Sequence, residues 1–179
     1  AKIGAILREG RGVPADVRRA EGHLRRACDA QRGAACNDLG LLREDEGASR
    51  DAALLFERAC ELEELVGCTN LGRLYDAGEG VAVDARRAVS LFDRACRGGD
   101  GLGCVSLGLM REEGRGAAVD VSAAGRLYRD ACRRGILRIV EEGAGGAVEE
   151  DRVVLLEVLG VDVGRVIEIV VSQAPVRVP

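Results

Sequence analysis

Cysteine recurs in this 179-residue chain on a fixed beat. Cys28 and Cys36, Cys60 and Cys68, and Cys96 and Cys104 are each eight residues apart, and Cys132 follows alone. Successive first cysteines are separated by 32, 36 and 36 residues. A period of that length marks a unit of two short elements that must bury its apolar face by stacking on its neighbours. The chain is thereby steered toward a solenoid, whose core grows along one axis. Its aromatic content fits, since two Phe, two Tyr and no Trp leave a core to be built from closely packed Ala, Leu, Val and Gly.

A second set of residues keeps the same time. Ile3-Gly4, Leu39-Gly40, Leu71-Gly72 and Leu107-Gly108 step by 36, 32 and 36, so the repeat that lacks four residues lost them in its turn between Asp45 and Ser49. Within the unit, Cys68, Leu71, Gly72 and Tyr75 fall at i, i+3, i+4 and i+7, one face of a first helix, with Asn70, Arg73 and Asp76 turned away from it. Gly10-Arg11-Gly12, Gly78-Glu79-Gly80 and Gly114-Arg115-Gly116 then supply the left-handed position that ends a helix. Asp16, Asp84 and Asp120 follow at one offset, suited to cap the N–H groups of a second helix. That helix buries Ala88, Leu91, Phe92, Ala95 and Cys96 on one stripe. Leu24, Phe56, Phe92 and Tyr128 are equivalent core knobs, and Ala27, Ala59, Ala95 and Ala131 let neighbouring helices approach closely.

The run Leu71-Gly72-Arg73-Leu74-Tyr75, the Gly78-Glu79-Gly80-Val81 turn, Asp84, Ala88, Phe92 and Ala95-Cys96 resemble the Sel-like repeat, a relative of the tetratricopeptide repeat. With paired cysteines the pattern is similar to the Helicobacter cysteine-rich protein subfamily. The resemblance covers Ile3 to Gly135. It implies an all-α fold, a right-handed α-solenoid of antiparallel helix pairs that binds a protein or peptide on its concave face. The departures are local: the Tyr75 position holds Leu7, Arg43 and Arg111 in the other repeats.

Each cysteine pair straddles a short turn between the second helix of one repeat and the first of the next. Antiparallel helices so joined bring two Cα atoms within the roughly 7 Å a disulfide requires, and each closed loop would contribute about 2.5 kcal/mol in the chain-entropy model. Disulfides point to an oxidising compartment such as a periplasm, the cell exterior or an intermembrane space, and the chain is expected to be secreted or periplasmic. Small buried thiols are the alternative. A zinc site is disfavoured, since there is no Cys-x-x-Cys and His23 is the only histidine. Cys132 meets Val140 where the beat calls for cysteine and is expected as a free thiol.

The register ends after Gly135. Residues 1–135 form the expected solenoid, N-terminally incomplete, with further repeats expected upstream; no signal sequence is visible in Ala1 to Arg8. Residues 136–179 form an atypical Val-rich C-terminal tail with twelve valines from Val140 onward and no cysteine. Arg152 to Val161 and Arg165 to Ser172 read as a β-hairpin around Gly160 to Gly164, or Glu149 to Leu159 as a short helix. The tail would cap the last repeat or is foreign to it, for instance a shifted reading frame.

Chemistry is sparsely signposted. A net charge of −4 with acids interspersed among arginines argues against nucleic acid as a partner. The apolar stretches are interrupted by Glu157, Asp162, Arg165 and Glu168, so no membrane span is expected. Some cysteine-rich members of the family are described as penicillin-binding or β-lactamase-like, but Lys2 is the only lysine and no Ser-x-x-Lys pairs a serine with an amine base. No catalytic residue, metal or cofactor is assigned. Similarity to cysteine-bearing Sel-like repeat proteins of mitochondria makes a respiratory-assembly or redox factor using the thiols a further alternative, which haem or copper binding dependent on Cys132 would support. The Gly-x-Gly turns lack a P-loop lysine and follow helices rather than strands, so they read as helix ends. The partner-binding candidates are two ladders on the first helices: Asp38, Asn70 and Ser106, and Leu41, Arg73 and Leu109. The leucines could line a groove or pack between repeats. A monomer is expected.

Overall fold

The structure, a computed structural model, describes residues 17–134, 137–140, 151–158 and 167–172. The Ile3-Gly4 step, Leu7, the Gly10 turn, the Asp16 cap, Gly135, the Gly160 to Gly164 turn and the terminal prolines lie outside the described residues.

Among the described residues seven helices run in sequence: α1 (Val17–Asp29), α2 (Gly33–Asp45), α3 (Ser49–Glu61), α4 (Leu65–Ala77), α5 (Ala85–Gly98), α6 (Gly101–Glu113) and α7 (Val121–Arg133). They form a right-handed α-solenoid in which α2, α4 and α6 are first helices and α1, α3, α5 and α7 second helices. Each helix packs on its sequence neighbours, and α2 also lies against α4, and α4 against α6, contacts that the second helices do not match. The stack therefore curves toward its first-helix side. In the Val-rich tail, β1 (Leu137–Val140), β2 (Asp151–Val158) and β3 (Ile167–Ser172) pair antiparallel in that order, with Leu137 opposite Val158 and Asp151 opposite Ser172.

Helix pairing rests on a glycine facing an aromatic ring. A Cβ at Gly72 would come within 2.7 Å of the Phe92 ring, and Gly40 and Gly108 meet Phe56 and Tyr128 in the same way. Only hydrogen at that position lets the second-helix knob reach the first-helix backbone, which is why the two signals recur together. Phe56, Phe92 and Tyr128 are buried.

Three disulfides join Cys28–Cys36, Cys60–Cys68 and Cys96–Cys104 with Cα separations of 4.7, 4.6 and 4.5 Å. Each ties the end of a second helix to the start of the next first helix, and all six cysteines are buried. Cys132 is free and half-buried.

The turns inside a repeat come in two forms. Gly78 (φ +74°) and Gly114 (φ +72°) end α4 and α6 in the left-handed conformation. Asp84 then accepts from the Arg87 N–H at 2.9 Å and Asp120 from the Ala123 N–H at 2.8 Å, capping α5 and α7. The second glycine of each loop has another task. A Cβ on Gly80 would come within 2.5 Å of the Arg50 nitrogen, and one on Gly116 within 2.8 Å of the Arg86 nitrogen, because each loop lies on the first turn of the preceding repeat's second helix. In the shortened repeat, Ala48 precedes α3 without a side-chain cap.

Candidate functional site

The first-helix side is assembled from α2, α4 and α6, and its ladder residues are neither core nor freely projecting. Asp38, Asn70 and Ser106 are half-buried, one step from the buried Asn37, Thr69 and Val105. Leu41 is half-buried against Ala52, Ala53, Phe56, Leu71 and Leu74, and Leu109 against the cluster around Tyr128 and Ala131. Arg73 is the exposed member of its ladder.

A polar seam runs along these helices. The Asn70 amide donates to the Asn37 side-chain oxygen at 2.9 Å, joining α4 to α2. The Thr69 hydroxyl donates to the Asp100 carboxylate, which also accepts the Leu102 and Gly103 N–H groups at 3.3 and 3.2 Å. Asp100 thus caps α6 and ties it to α4 with one side chain. Buried polar atoms need such partners, because an unsatisfied one costs on the order of 1–3 kcal/mol.

Ion pairs extend the seam outward. Arg73 bridges Glu44 of the preceding repeat and Glu79 of its own turn. Arg43 holds Glu21 and Glu46, each at 2.5 Å, and these bonds, Glu21 first, raise its already high pKa. Arg115 bridges Asp76 and Glu113, while Arg58 faces Asp29 and Arg87 faces Glu57 on the second helices. The inter-repeat pairs Glu44–Arg73, Asp76–Arg115, Asp29–Arg58 and Glu57–Arg87 put the acid in the earlier repeat, so they set register. Exposed pairs of this kind contribute about 0–1 kcal/mol each.

Reactive chemistry finds little support in the geometry. Burial pushes the Cys132 thiol above its ordinary pKa, which keeps thiolate scarce at neutral pH. Cys96, Cys104 and Asp130 bring ligand atoms within 4.8 Å of one another, but both sulfurs are spent in a disulfide. The remaining carboxylate is held by Arg134 and Arg133 at 3.1 and 3.0 Å, the Arg134 bond foremost in lowering its pKa. His23 shares a contact with Arg26 at 3.2 Å. Burial, then the hydrogen bond to Glu112 at 2.7 Å, raise the Tyr128 pKa, so its phenol stays neutral.

No helix among the described residues is long and apolar enough to cross a membrane. The sequence reading missed Asn37, Thr69 and Asp100, whose bonds join positions 33 and 31 residues apart with different residue types each time. For Asn37 and Thr69 the signal was polarity at a position that the repeat buries, whereas Asp100 shares its position with Arg32 and Glu64 and carried only the residue type of a helix N-cap.

The Sel1 repeat family model matches residues 1–31, 65–100 and 102–136, and the stretch between the first two matches contains the shortened turn. Among curated proteins the chain is similar to cytochrome c oxidase assembly factor 7A of Xenopus laevis, 36% identical over 93 residues, covering 48% of this chain and 40% of that protein. It is also similar to Beta-lactamase HcpA of Helicobacter pylori, 50% identical over 34 residues, covering 19% of this chain and 14% of that protein. The chain thus spans well under half the length of these curated relatives. Among solved structures, a Sel1 repeat protein from Oxalobacter formigenes superposes with a TM-score of 0.68 at 28% identity, over 75% of this chain and 56% of that one. Helicobacter pylori cysteine rich protein B superposes with a TM-score of 0.54 at 27% identity, over 64% of this chain and 90% of that one.

Proposed function

The chain belongs to the Sel1 repeat family, and from that premise we propose that it is a disulfide-stapled scaffold binding a protein or peptide along its first-helix side. Sel1 repeats generally mediate protein interactions. The observation that carries the reading is the contrast between constant and variable positions on α2, α4 and α6. Glycine and leucine hold the stack at fixed register, while Asp38, Asn70 and Ser106 differ in chemistry from repeat to repeat. Arg73 adds charge, and Leu41 and Leu109 offer apolar edges where a ligand would lie. The partner is a protein or peptide, the scaffold acts as a monomer, and it works in a secreted or periplasmic setting where three disulfides persist. The double variant Asn70→Ala with Arg73→Glu should release the natural partner in a pull-down while leaving the helical circular dichroism unchanged; undiminished capture would remove this placement.

Two further readings rest on relatives. Similarity to the Xenopus assembly factor favours a respiratory-assembly role, to be tested by whether deleting the gene lowers cytochrome oxidase activity and re-expression restores it. The 34-residue match to HcpA favours β-lactam hydrolysis, to be tested with a chromogenic β-lactam; turnover that co-elutes with the purified chain would support it.

A further inference from the structure

Leu54 breaks the repeat rhythm on the second-helix side. It lies on α3 and is 62% exposed, whereas the equivalent positions, two residues before the core knob, hold Gly22, Ser90 and Arg126. The repeats act as an internal control: packing needs no apolar residue there, and one repeat alone supplies it.

Leu54 is a ridge between two clefts. The larger, about 550 Å³, is lined by Ala53 and Leu54 of α3, Leu71 and Tyr75 of α4, and Val81 and Val83 of the α4–α5 loop. Val83 is 67% exposed. The smaller, about 340 Å³, lies on the α1 side, with Asp51 at its edge. The lining is not repeated at the next boundary, where Val89 and Arg111 stand at the positions of Ala53 and Tyr75.

Its charges are unequally satisfied. Glu57 accepts from Arg87 at 2.7 Å, Arg87 itself lies 4.5 Å over the Tyr75 ring, and Asp84 is occupied as the cap of α5. Arg50, at the rim, has no ion-pair partner among the described residues. A cleft of this size, with Ala53, Leu54, Leu71, Val81 and Val83 in its lining and its two acids, Glu57 and Asp84, already engaged, leaves Arg50 as the charge to be answered and so complements an apolar side chain next to a carboxylate.

We propose that this cleft is a second docking site, separate from the first-helix side, for a partner peptide that seats an apolar residue on Leu54, Leu71 and Val83 and sets an adjacent acidic residue against Arg50. The proposal does not depend on where the first-helix side binds.

Selection of phage-displayed random heptapeptides on the intact, oxidised chain, followed by fluorescence polarisation of the enriched peptides, tests it. The expected result is a consensus pairing Leu, Ile or Phe with a neighbouring Asp or Glu. Its affinity should fall at least tenfold on Leu54→Ser, which installs the residue Ser90 already carries, and on Arg50→Glu. Asn70→Ala with Arg73→Glu should leave it within twofold. Absence of that consensus, or equal binding to both cleft variants, overturns the proposal; loss on the first-helix variant instead would assign the peptide to that side.

Discussion

The shortened second repeat and the two that follow it solve the same problem with different means. Between α4 and α5, and between α6 and α7, seven residues supply a left-handed glycine, a second glycine seated on the preceding helix, and an Asp cap. Between α2 and α3 only Glu46, Gly47 and Ala48 remain, and α3 starts without a side-chain cap. The turns between repeats show the same gradient. Gly99 and Asp100 precede α6, while Gln31 and Glu63 hold the equivalent left-handed positions at φ 58° and 63° before α2 and α4. Local backbone devices thus strengthen toward α6 and α7, while the disulfides are identical throughout. The first half of the solenoid should lean on its staples more heavily than the second.

The largest test of that difference is removal of a staple. Cys60→Ala with Cys68→Ala should cost about 2.5 kcal/mol of loop entropy, read by urea unfolding, and more than Cys96→Ala with Cys104→Ala, where the Asp100 cap and its Thr69 bond remain. A greater loss at the second pair would reverse the ranking. Next in size are the glycines. Gly116→Ala forces a Cβ onto α5 at a residue with φ +68° and should cost about 2–3 kcal/mol. Gly47→Ala, at φ +77° but with open space around it, should cost about 1 kcal/mol. Equal losses would mean that the loop-on-helix contact contributes nothing.

Smaller effects come from the caps. Asp84→Ala and Asp120→Ala should each destabilise by about 1 kcal/mol, and Ala48→Asp, restoring the missing cap, should gain up to about 1 kcal/mol in thermal or urea unfolding. A neutral Ala48→Asp would show that the short turn cannot present a cap. Smallest is Glu63→Gly, which relieves a left-handed Glu and should gain about 0.5 kcal/mol, whereas Gly99→Ala, at φ +113°, should lose at least as much as Gly47→Ala.

Most of the fold was legible because its determinants recur. Cysteine, the Leu-Gly step, the core knob and Asp84 with Asp120 each sit at one position of the unit, so three or four weak signals add in register. What was not legible occurs once. Gln31 and Glu63 are not residues that announce a left-handed turn. The partners of Thr69 and Asn70 lie in different repeats and differ in type, and the contact of Gly80 with α3 reads in sequence only as the end of α4. The ladder Asp38, Asn70, Ser106 was visible as a face, but its engagement in a polar seam depends on the spacing between helices, which periodicity does not encode. Leu54 is apolar in an apolar-rich helix, and only its exposure reveals it.

Staples between consecutive repeats hold this solenoid together. Non-reducing peptide mass spectrometry on protein isolated from its native compartment, with free thiols alkylated first, tests it directly. The expected links are Cys28–Cys36, Cys60–Cys68 and Cys96–Cys104, with Cys132 alone alkylated. Any link across these pairs, any disulfide to Cys132, or alkylation of all seven cysteines would contradict it.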